Sequence, residues 1–167
     1  YNYEPLWNPI PTDPEDSELL YAQAKQYEVE ENYDSARLTY KAVIETFPES
    51  EFAIASAKQL LALEKKIESS DFAALQTYYE TEPNMSYDAD MQKLSEDLSN
   101  YCDIEMANYE TAIGYSETII TNPPSLQDSV FAVIDAGYTY LLMANTGRSN
   151  YIGQIAGLKP KSREDFE

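Results

Sequence analysis

Apolar residues recur at three- and four-residue spacing through most of this chain, the mark of helices that bury one face. Leu20, Ala24 and Tyr27 form one such set, and Ala36, Tyr40, Val43 and Phe47 a second. Ile54, Ala57, Leu60 and Leu61 make a third, and Phe72, Leu75 and Tyr79 a short fourth. Leu94, Leu98, Tyr101 and Cys102 make a fifth, and NYETAIGYSETII reads as a sixth. Turn-forming residues separate these sets at Glu31-Asn32, Pro48 to Ser50, Ser69 to Asp71, Pro83 to Ser86, Ala107-Asn108 and Pro123 to Ser125. No segment alternates as a half-buried strand would. The pattern predicts an all-α chain.

The most apolar stretch is NPPSLQDSVFAVIDAGYTYLLMANTG, residues 122 to 147. Ser125 is placed to cap a helix, with Asp128 three residues on in a capping-box-like arrangement, and Gly147 to stop it. Val130, Ile134, Gly137 and Leu141 share one side, with Phe131, Tyr138 and Leu142 beside them, which predicts burial on more than one face. A membrane span needs about 20 largely apolar residues, and Asp128 and Asp135 interrupt this one. It is expected to be a packed seventh helix, with Gly137 at a close helix crossing.

At the other end, Asp13-Pro14-Glu15-Asp16 is a compact helix start: a capping acid, a proline in the first turn, and acids at the positive end of the helix dipole. Residues 1–12, with three prolines, read as an extended lead-in whose Trp7 packs onto the first helix pair. Residues 13–147 read as one helical domain. Residues 148–167 read as a C-terminal cover, with Tyr151, Ile152, Ile155 and Leu158 folding back, and a linker to a following region.

The helices repeat. YDSARLTYKAVIETFP begins at Tyr33 and YETAIGYSETIITNPP at Tyr109, and each has Ala three residues on (Ala36, Ala112), an apolar residue seven further (Val43, Ile119) and proline five beyond that. DFAALQTYY fits between them with Phe72, Leu75 and Tyr79. The steps of 39 and 37 residues between Tyr33, Phe72 and Tyr109 define a helix hairpin as the unit. Leu20, Ala24, Tyr27, Tyr33, Ala36, Tyr40, Val43 and Pro48 resemble the tetratricopeptide repeat at that family's spacing. Small Ala24 and Ala36 would let two antiparallel helices approach, and tyrosines would fill the seams. The later hairpins depart from it: Leu75 stands where a small residue is usual, and Ser116 where an aromatic is. The resemblance implies about seven antiparallel helices in hairpins, forming a short α-solenoid.

A net charge of −19 and an isoelectric point near 4.1 disfavour nucleic acid and anionic membranes, both of which need Lys and Arg. With no histidine and one cysteine, the usual zinc sites, histidine acid–base chemistry and an internal disulfide are excluded. Cys102 reads as a buried small hydrophobe. The acids Asp13, Glu15, Asp16 and Glu18, and Asp88 with Asp90, lack the glycine-turned loop of a hand-type calcium site and fit helix starts instead. Asn84-Met85-Ser86 matches a glycosylation sequon. No cofactor or metal is expected.

The C-terminal stretch DSVFAVIDAGYTYLLM, with NPPS before it and KPKS after it, is similar to a segment of large Bacteroidetes surface proteins, found ahead of a type IX secretion sorting region. That similarity implies export, and the ends of the sequence look like cuts from a longer protein. Repeat geometry places any binding surface on the first helices of the hairpins, at Tyr21, Lys25 and Glu28, and by the same offset at Phe52 and Gln59. The expected function is a non-catalytic interaction or spacer module presenting an acidic, tyrosine-bearing face to a protein or peptide, or to neighbouring domains of its own chain. Glu18 and Tyr21 stand where a basic clamp would need Lys and Asn, which disfavours acidic peptide tails. Two alternatives stay open: a small all-α enzyme using Asp135 and tyrosines, and a carbohydrate-binding module with exposed aromatics.

Overall fold

A computed structural model describes the backbone of residues 14–156 and the side chains of residues 16–147. The lead-in with Trp7, the Asp13 cap and the side chains of the C-terminal cover lie outside the described residues. Among the described residues seven α-helices follow one another: α1 (Pro14–Val29), α2 (Tyr33–Thr46), α3 (Glu51–Glu64), α4 (Phe72–Thr81), α5 (Ala89–Glu105), α6 (Tyr109–Thr121) and α7 (Leu126–Ala156). A short 3-10 turn, Pro83–Ser86, precedes α5. Among the described residues there is no strand.

Local chemistry sets the helix starts. The side chains of Asn32, Ser50, Asp71 and Asp88 accept from the backbone N–H of Ser35, Phe52, Ala74 and Met91, each satisfying a first-turn donor that has no partner within the helix. The expected box at Ser125 is present: its Oγ accepts from the Asp128 N–H at 3.1 Å and donates to the Asp128 carboxylate at 2.6 Å.

The hairpin turns repeat as well. After α1, Glu31 takes a left-handed φ of 59°, its N–H bonds to Glu28 O, and Asn32 N–H reaches back to Tyr27 O at 2.9 Å. After α5, Ala107 takes a φ of 62°, its N–H bonds to Ile104 O, and Asn108 N–H reaches Asp103 O at 2.8 Å. This is the same left-handed closure of a helix C-terminus built twice, both times without glycine. Burial keeps the same register: Tyr33, Phe72 and Tyr109 are half-buried, whereas Ala36, Leu75 and Ala112, and four residues on Tyr40, Tyr79 and Ser116, are buried.

The chain forms two compact units, Tyr1–Cys102 and Asp103–Glu167. In the first, α2 packs on α1 and α3, α1 also reaches α3, and α4 packs on α3. Helices stacked on their sequence neighbours in this way are the solenoid-like arrangement the spacing predicts. Ala24, Ala36, Tyr40, Val43, Ile44, Ala57, Leu60 and Leu63 are fully enclosed, and alanines at the crossing let the backbones approach. The Tyr79 hydroxyl donates to Ala57 O at 2.7 Å, and Ser95 Oγ donates to Tyr79 O at 2.6 Å, so one buried tyrosine ties α3, α4 and α5.

In the second unit α6 packs on α7. Here two expectations are corrected. Helix α7 runs through Gly147 to Ala156, because Gly147 does not adopt the positive φ by which a glycine ends a helix. The broad burial expected of α7 is absent: Ala132, Ala136 and Thr139 are buried, while Val130, Phe131, Ile134, Tyr138 and Leu141 are each half or more exposed. The small residues face inward because they permit the close contact with α6. Apolar residues all round the helix left that choice open in the sequence.

Candidate interaction groove

The five residues singled out on the first helices of the hairpins come together on one seam, between α1 and α3. Tyr21, Lys25 and Phe52 line an open groove of about 380 Å³, along with Glu18, Ala22, Gln26 and Val29. The Tyr21 ring lies 5.4 Å from that of Phe52 and 5.7 Å from that of Tyr40, centroid to centroid. Tilted rings at these distances hold one another by edge and face complementarity. The groove lining therefore includes two rings packed on one another.

Glu28 and Gln59 do not line the groove but bond to each other between the same two helices. The Glu28 side chain, 7% exposed, gathers donors from three directions. Tyr40 O–H of α2 donates to its Oε2 at 2.8 Å, Gln59 Nε2 of α3 donates at 2.9 and 3.2 Å, and Lys66 Nζ pairs with Oε1. Lys25 Nζ approaches from the same helix at 3.5 Å. Burial alone would raise the Glu28 pKa, but the bonds from Lys66, Tyr40 and Gln59 and the charge of Lys25 outweigh it and bring the carboxyl down to about 2. Burial, and the Glu28 carboxylate accepting its proton, push the Tyr40 hydroxyl far above the ordinary tyrosine range. Glu28 is an anion at neutral pH that fastens α1 to α2 and α3.

A second concavity, about 600 Å³, was not foreseen from the sequence. It lies between α2 and the start of α4 and is lined by Tyr33, Asp34, Arg37, Lys41, Glu64 and Asp71, among others. Arg37 Nε donates to the buried Glu64 carboxylate at 2.6 Å, and its Nη1 to Asp34 at 2.9 Å. The Asp71 N–H donates to the other Glu64 oxygen at 3.2 Å. The bond to Glu64 is the main reason the Arg37 pKa stands above its usual value. Tyr33, Arg37 and Lys41 at four-residue steps were the available signal, a polar line along α2. Glu64 and Asp71 join it only through tertiary packing.

Asp135 is half-buried on α7, and its backbone carbonyl accepts the Thr139 hydroxyl at 2.7 Å. Among the described residues no helix is long and apolar enough to cross a membrane. The chain matches no protein-family model, and comparison with curated proteins and with solved structures returns no match.

Proposed function

We propose that this chain is a non-catalytic interaction or spacer module, tetratricopeptide-like in its hairpins, within a larger exported bacterial surface protein. One observation supports the interaction reading above others: the open α1–α3 groove is lined by the packed rings of Tyr21 and Phe52, while the neighbouring Glu28 carboxylate is taken up by Tyr40 and Gln59. Aromatic side chains held rigid at a groove bury much area at little entropic cost, which is how interfaces obtain binding energy. Lys25 and Glu18 in the lining, and Glu51 next to Phe52 in sequence, would then set which peptide or neighbouring domain is accepted.

A photo-crosslinking residue placed at Phe52, compared with one at Leu38 on the exposed side of α2, tests the reading in the producing cell. The expected result is a discrete crosslinked species from position 52 and none from position 38. Equal crosslinking from both positions, or none from 52, would refute it.

A further inference from the structure

The second unit carries an apolar surface that its own helices leave uncovered. Val130, Phe131, Ile134, Tyr138 and Leu141 lie on the side of α7 opposite Ala132, Ala136 and Thr139, and each is half or more exposed. At 100° per residue the five fall within one continuous stripe. Their exposed area is on the order of 600 Å², the size at which an apolar patch on a monomer marks an interaction site, against about 800 Å² contributed by each partner to an ordinary interface. Gly137 lies midway along the stripe's length, at the margin next to Val130 and Leu141. A Cβ there would meet nothing within 4 Å, so its smallness serves no contact inside the chain although glycine weakens a helix interior. A glycine at the margin of an exposed apolar stripe suits the close approach of another helix.

Charge decides which helix. The stripe itself holds no ionisable group other than tyrosine, but its borders are acidic. Asp128 and Asp135, seven residues apart, follow one edge, and Glu117 of α6 lies at the other, its carboxylate 3.4 Å from the Tyr140 hydroxyl. Residues 103–147 contain six acids, Asp103, Glu105, Glu110, Glu117, Asp128 and Asp135, and no Lys or Arg. A second copy would set these acids against their like, whereas a basic partner meets complementary charge on both edges. We propose that the outward face of α7 is a docking surface for an amphipathic helix whose apolar stripe is bordered by Lys and Arg. The site is separate from the α1–α3 groove and does not depend on it.

The test uses three synthetic peptides of about 20 residues, long enough to lie along the exposed turns of α7. One carries a Leu and Ala stripe flanked by Lys, the second the same stripe flanked by Glu, and the third the Lys peptide scrambled so that no stripe forms. The full chain is expected to bind the first at least tenfold more tightly than either other peptide, with affinity falling as salt rises. Ile134→Asp should abolish binding while leaving helicity and thermal midpoint unchanged. Gly137→Ala should raise the midpoint yet weaken binding several-fold, a combination that a merely structural role for Gly137 would not give. Equal binding of the Lys and Glu peptides, or of the Lys and scrambled peptides, would overturn the proposal, as would no binding at all. It would also fall if the chain dimerised and Ile134→Asp restored the monomer, since the occupant would then be a second copy. A large drop in midpoint for Ile134→Asp would overturn it too, because the face would then be covered within the chain.

Discussion

Glu28 offers the most quantitative test of how the first unit is held. Its carboxyl is brought from an ordinary value of 4.5 to about 2 by donors on two other helices and by two lysines. At about 1.4 kcal/mol per unit this difference is roughly 3 kcal/mol in favour of the charged, folded form. Lys25 and Lys66 are about half exposed, so solvent screening trims the figure, and about 2 kcal/mol is the expected loss for Glu28→Gln at neutral pH. Glu28→Ala should cost more, about 3 kcal/mol or above, because Tyr40 and Gln59 lose their buried acceptor.

The pH dependence carries the diagnostic sign. Between pH 2 and 4.5 the unfolded chain binds a proton at Glu28 that the folded chain refuses, so stability rises with pH across that window. The contribution is complete above about pH 4.5 and is lost as the pH falls toward 2. Urea unfolding followed by circular dichroism, on wild type and Glu28→Gln from pH 2.5 to 7, isolates it from the other acids. The gap between the two proteins should be widest at pH 6 to 7 and close progressively in acid. A gap independent of pH, or a neutral Glu28→Gln at pH 7, would refute the argument.

Four further substitutions probe other parts of the fold. Glu31→Gly and Ala107→Gly should each stabilise by up to about 1 kcal/mol in urea melts, since both positions hold a left-handed φ that glycine adopts without strain. Ser56→Ala should be neutral or stabilising by up to about 1 kcal/mol, because the Ser56 hydroxyl is fully buried with no hydrogen-bond partner; a clear loss would mean the hydroxyl is satisfied in solution. Ser125→Ala should cost about 1 kcal/mol by thermal melting, the usual loss when a side chain that accepts a first-turn N–H is removed.

Helix order and most inward positions were legible because they are local properties. Ala36, Tyr40, Val43 and Phe47 announce a buried face by spacing alone, and Ser125 with Asp128 announces a helix start. The repeat was legible for the same reason, and it extends to the turns, where Glu31 and Ala107 do what a glycine usually does. The sequence marked turns at Glu31-Asn32 and Ala107-Asn108, but with no glycine at either position it did not show their left-handed form. The role of Glu28 was hidden because its partners come from α2, from α3 and from Lys66 beyond α3, which one helix's periodicity cannot show. Its offset from the packing residues pointed to a surface position, and the structure buries it instead, bonded to Tyr40, Gln59 and Lys66. Helix α7 was ambiguous on physical grounds, since small and large apolar residues alternate around it and only contact with α6 selects the small ones.

The proposed α1–α3 docking groove is tested most directly by amide hydrogen exchange, comparing the isolated chain with the same residues in the larger protein proposed to carry it. The account predicts exchange slowed at least tenfold over residues 21–28 and 52–59 in the intact assembly, with the exposed side of α2 around Leu38 unaffected. Unchanged exchange over both segments, or protection spread evenly across α1, α2 and α3, would contradict it.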